Sequence, residues 1–147
     1  MRVFLDTNVI VSATATRGLC ADVFREVLLS HELIVSEPLL TELSRVLSAK
    51  FGADEEMIES VIRILKQEKI FSQPLDLPDV TIRDRDDLLI LASALAGRAE
   101  VLITGGKELL ALGSIHTLEI ISPRQFWEKI VGQQPGLADG KKQRRFA

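Results

Sequence analysis

The side chains with the most chemical potential in this sequence are acidic. Asp6 interrupts VFLDTNVIV, a stretch that is apolar apart from Thr7 and Asn8. Glu42 falls within SEPLLTEL, and Asp84, Asp86 and Asp87 crowd the start of RDRDDLLILASAL. A lone aspartate in such a place commonly serves as a turn residue or a helix cap. One cap needs one carboxylate, and three in so short a span repel one another unless a cation is shared. Glu42 lies at the margin of an apolar helical stripe, beside Leu39 and Val46. A half-buried carboxylate there needs either a partner, for which Arg45 at i+3 is the simplest choice, or a cation. Hard oxygen donors with few histidines suit magnesium or manganese rather than zinc. His31 and His116 neither flank the acids nor share ligand spacing and read as surface residues, and Cys20 has no second thiol to pair with. Divalent ions held by carboxylates support phosphodiester hydrolysis. LITGGKELL adds a Thr-Gly-Gly turn that permits close backbone approach, although the full phosphate-binding pattern is absent.

These acids matter only if folding gathers them. Apolar runs predict strands at 2–5, 32–35, 100–104 and 117–121. Helical spacing predicts helices over 19–30, from Ser36 and Pro38, from Asp54, from Asp84 to Gly97, briefly after Gly105-Gly106-Lys107, and after Ser122 and Pro123. DTNV reads as a turn, and residues 72–82, with Pro74 and Pro78, read as a loop. Alternating strands and helices imply the α/β class, a three-layer α/β/α sandwich around a central, mostly parallel, twisted sheet. In such sheets the functional crevice lies beyond the carboxyl ends of the strands, where Asp6 and Thr104 fall.

At 147 residues and a net charge of −3, the chain has the length of one domain. We expect that domain over 1–131, followed by a basic, disordered tail over 132–147 carrying Lys141, Lys142, Arg144 and Arg145. The body left by that tail is more acidic than the whole, unlike a duplex-DNA binder. No apolar run reaches the roughly 18 residues needed to cross a bilayer, and no secretory leader is evident, so a cytoplasmic location without membrane contact is expected.

Taken in order, FLDTNVIVSA, SEPLLTEL, RDRDDLLILASAL and LITGGKELL resemble the PIN-domain family of metal-dependent ribonucleases, from about Met1 to Val131. Within that family the chain is most similar to the toxins of bacterial toxin–antitoxin pairs. The resemblance implies a magnesium- or manganese-dependent endoribonuclease acting on single-stranded RNA, blocked by a small antitoxin and paired as a homodimer. It implies that Asp6, Glu42 and Asp87 are catalytic metal ligands, with Asp86 beside them and Asp84 in support. Asn8 would brace Asp6, Thr7 would hydrogen-bond water at the metal, and Thr104 would be the threonine before the family's fourth acid. Gly106 stands where T-G-D would place that acid, and Glu108 is the nearest carboxylate left. Arg83, Arg85 and Lys107 border the acids and would either hold the RNA backbone or balance charge. The missing aspartate opens an alternative: a degenerate module that binds RNA or protein without efficient cleavage. An aspartyl phosphotransferase would require a second aspartate where Asn8 stands, and a phospho-accepting receiver would require one where ELIVSEP offers only Glu37.

Overall fold

The computed structural model describes residues 1–68 and 70–133. Its elements run β1 (Arg2–Leu5), α1 (Thr7–Ala15), α2 (Leu19–Ser30), β2 (Glu32–Ser36), α3 (Glu37–Phe51), α4 (Glu55–Lys66), β3 (Ile70–Ser72), α5 (Arg85–Ala96), β4 (Val101–Ile103), α6 (Lys107–Leu112), β5 (Ser114–Ile115), β6 (Leu118–Ile121) and α7 (Pro123–Gln133). The sheet order is β3-β2-β1-β4-β6-β5, parallel throughout except for the β5–β6 pair. Val3, Phe4 and Leu5 are all fully buried, as are Leu102 and Ile103 beside them. Successive strand residues point to opposite faces, so both faces of the sheet are covered and the expected α/β sandwich holds.

This order contains a switch point. From β1 the chain moves outward to β2 and β3, then returns through α5 to place β4 on the other side of β1. Crossover loops diverge there and leave a crevice at the carboxyl ends of the two strands. Leu5 is in register with Ile103, and the Asp6 amide donates to the Ile103 carbonyl at 2.9 Å. Asp6 and Thr104, the residues that follow β1 and β4, therefore emerge side by side.

Several local expectations change. DTNV is not a turn: Asp6 caps α1, which starts at Thr7. The β-branched Val9, Ile10 and Val11 are poor helix formers, but burial of all three overrides that preference. The proline-rich loop begins only after β3, which pairs with β2, and the two-residue β5 folds back antiparallel on β6. Both are edge strands too short to show a period. Gly97 ends α5 without a left-handed turn. Its need is space, because a Cβ there would lie 2.5 Å from Ile34 Cγ2, and the positive φ of 56° falls on Arg98. His31 is half-buried rather than a surface residue: its Nδ1 lies 3.2 Å from the Met1 amino group and its ring meets Phe126 edge-on. Helix α7 buries Phe126, Trp127 and Ile130 and continues through Gln133; the rest of the predicted tail lies outside the described residues.

Candidate metal centre

Asp6, at the carboxyl end of β1, is only 3% exposed. Its Oδ1 accepts from the Thr7 amide and its Oδ2 from the Thr104 hydroxyl, both at 2.6 Å. Thr104 Oγ1 accepts in turn from the Gly106 amide at 2.9 Å. This chain of bonds fixes the carboxylate across the switch point. Burial pushes the Asp6 pKa up, the bonds from Thr104 and Thr7 pull it down, and the Asp84 charge pushes it up again. Thr104, rather than Asn8, is the brace. The Asn8 side chain is exposed and makes no hydrogen bond to Asp6.

Helix α3 brings Glu42. Ser36 caps this helix by accepting from the Leu39 amide, and Leu39, Leu43 and Leu47 anchor it to the core, which leaves Glu42 at the edge of the buried face. Partial burial raises the Glu42 pKa, the Thr7 hydroxyl lowers it, and Asp86 and Asp6 raise it further. The buried Thr7 Oγ1 faces that carboxylate yet closes no well-formed hydrogen bond among the described residues. Arg45 does not pair with Glu42: its guanidinium reaches across to Asp86 at 3.3 Å and only moderates the Glu42 pKa.

Helix α5 brings the remaining cluster and divides the labour within it. Asp84 is the cap, accepting from the amides of Asp86 at 2.7 Å and Asp87 at 3.2 Å. Asp86 points outward to Arg45. Asp87 points inward, and its pKa is pushed up to about 6 by burial first, then by the charges of Asp6, Asp84, Glu42 and Glu108. Glu108 reaches this group from α6 and accepts weakly from the Arg83 amide at 3.4 Å.

An open cavity of about 470 Å³ is lined by Thr7 and Asn8 of α1, by Glu42, Arg45, Lys50 and Phe51 of α3, and by Asp84, Asp86 and Asp87 at the start of α5. A second, of about 310 Å³, shares Glu42, Arg45 and Asp86 with it, so the Arg45–Asp86 pair lies between the two. Arg83, Arg85 and Lys107 line neither; they are exposed and make no side-chain ion pair among the described residues. The cations that do line the larger cavity, Arg45 and Lys50, follow Glu42 on α3. Arg45 at i+3 is its helical neighbour, whereas Lys50 at i+8 shares no simple spacing with it.

The sequence pattern of the PIN domain family matches residues 2–108. The chain belongs to the PIN domain family. Among solved structures, it is similar in fold to a chain of VapBC2 from Rickettsia felis, solved bound to a DNA fragment from their promoter. That match has a TM-score of 0.57 and 19% identity, and covers 83% of this chain and 98% of that one. It is also similar to a chain of VapBC-1 from nontypeable Haemophilus influenzae, with a TM-score of 0.56 and 22% identity, covering 84% of this chain and 99% of the other. No curated protein matches it.

The donor set of this PIN domain fits a hard divalent cation in kind: oxygen ligands only, with like charges concentrated on Asp87. The side chains stand apart, since no three of the His, Cys, Asp and Glu side chains among the described residues are placed to hold one ion. Asp6 is the one of these carboxylates that is held on both oxygens, by the Thr7 amide and the Thr104 hydroxyl.

Proposed function

We propose that this protein is an endoribonuclease that cuts single-stranded RNA with magnesium or manganese, and that it is the toxin of a toxin–antitoxin pair. One observation carries the reading: the inward carboxylate of Asp87 meets the charges of Asp6, Glu42, Asp84 and Glu108, from four separate chain segments, beside the switch point of a parallel sheet. Such mutual repulsion is relieved by a shared cation. Asp6, Glu42 and Asp87 would hold the ion, with Asp86 able to join once released from Arg45. A divalent ion there supplies activation of a water and neutralisation of charge on the phosphodiester. Asp6 keeps a fixed geometry through Thr7 and Thr104. Without a cation the Asp87 carboxyl is pushed up to about 6, so taking up the ion in exchange for a proton is what would hold it ionised as a ligand. The exposed Arg83, Arg85 and Lys107, which border the acids in sequence, supply positive charge to the phosphate backbone.

The VapBC likeness supports a small antitoxin as partner, and the exposed Met57 and Ile64 of α4 offer apolar surface for a second copy of the chain. The test is cleavage of a labelled single-stranded RNA with manganese, for this protein and for Asp6→Asn. Cleavage by the first alone is expected, and equal cleavage by both would remove the assignment. A second reading, binding without efficient cleavage, is favoured by Gly106 and by the separation of the acids. Gly106 has φ −73° and ψ 126°, open to any residue, and a Cβ there would lie 3.3 Å from Thr104 Oγ1. Gly106→Asp is thus accommodated with a small shift, and cleavage gained only in that variant would select the second reading.

A further inference from the structure

We propose that the carboxyl-terminal end of α3 holds one nucleotide of the single-stranded RNA, its base stacked on Phe51 and its phosphate on Lys50; this rests on the nuclease reading above. Phe51 is the last residue of α3 and is 53% exposed. Gly52 follows in a left-handed conformation, φ 57°, which turns the chain away and leaves the ring open. An exposed aromatic alone is ordinary. This one lines the same cavity as Glu42, Asp84, Asp86 and Asp87. That cavity repels a polyanion, so a strand entering it needs positive charge beyond the acids. Arg45 is already held by Asp86. Lys50 also lines the cavity, is exposed, and makes no ion pair among the described residues. Asn8 of α1, which also lines the cavity, presents an exposed amide able to donate to and accept from a base or sugar. An aromatic face flanked by a cation is the usual means of holding single strands without reading sequence, because every base has a stacking face.

The experiment measures anisotropy of a fluorescein-labelled single-stranded RNA with the full chain, in EDTA so that no cleavage occurs. Phe51→Ala should weaken binding about tenfold and Phe51→Trp should retain it. Lys50→Gln should flatten the slope of log affinity against log salt by about 0.7, the loss of one phosphate contact to a single strand. Duplex RNA, whose bases are already stacked, should be indifferent to Phe51→Ala. Equal affinity of Phe51→Ala and the parent for single strands overturns the proposal, as does failure of the parent to bind. So does a Phe51→Ala variant that keeps its RNA affinity but releases a co-expressed protein partner, since the face would then belong to protein. Manganese binding, followed separately, keeps the two ideas apart: RNA held through Phe51 by a protein that binds no manganese would retain this inference and remove the nuclease.

Discussion

Two carboxylates in this site are tuned in different ways. Asp6 is held rigidly and Asp87 is held by little except its neighbours' charge. Removing the Thr104 hydroxyl in Thr104→Val leaves buried Asp6 Oδ2 and the Gly106 amide each without a partner. Thermal unfolding should show a loss on the order of 1–3 kcal/mol, which Thr104→Ser recovers. Asp87 gives a pH dependence whose sign is fixed. Its carboxyl titrates at about 6 in the folded protein, against an ordinary 3.8, so the folded state holds this proton more tightly than the unfolded chain does. Metal-free protein should therefore lose stability as pH rises from about 4 to about 6, in contrast to an aspartate in an ion pair. Melting temperature against pH checks this, and Asp87→Asn should flatten the curve across that window. Manganese, which binds the ionised form, should raise the melting temperature most above it.

At the level of elements, helix ends position the chemistry. Asp84 serves α5 as a cap and the site as a charge, and substitution separates the roles. Asp84→Asn keeps a good cap and should retain stability while lowering the Asp87 pKa, whereas Asp84→Ala should cost about 1 kcal/mol in chemical denaturation. Gly97 is the reverse case, a residue with a purely steric duty. Gly97→Ala should destabilise by about 1–3 kcal/mol through contact with Ile34. The strands β1, β2, β4 and β6 and most helices were legible because each carries an apolar run or stripe bounded by a cap such as Ser36, Asp54 or Asp84. Helix α1 was not, because DTNV reads as a turn and Val9, Ile10 and Val11 are poor helix formers, a preference that burial overrides. Asp6 was legible from its place after a strand, Glu42 from the margin of an apolar helical stripe, and Asp84, Asp86 and Asp87 from their crowding at a helix start. Arg45's true partner was not, since Asp86 is 41 residues away in sequence and meets it only after folding. The same holds for Thr104 as the brace of Asp6: no local spacing reports a contact between residues that follow two different strands.

Across the whole molecule, the sheet order does the organising. Because β4 returns beside β1, side chains from the beginning and the far end of the family match face one crevice, and α3 and α5 close it with Glu42 and Asp87. No helix among the described residues is long and apolar enough to cross a membrane. Phe51, Met57 and Ile64 are among the exposed large apolar side chains. Phe51 we assign to RNA. If Met57 and Ile64 cover a second copy of the chain, Ile64→Glu should shift the mass measured by light scattering from dimer to monomer while circular dichroism stays unchanged. All of these expectations depend on whether carboxylates so far apart in the chain act together on one cation. Manganese titrated into the protein and followed by the loss of the free ion's electron paramagnetic resonance signal tests that directly. The account predicts saturable binding that is abolished by Asp6→Asn and by Asp87→Asn while circular dichroism stays unchanged. Saturable binding that survives both substitutions undiminished would contradict it.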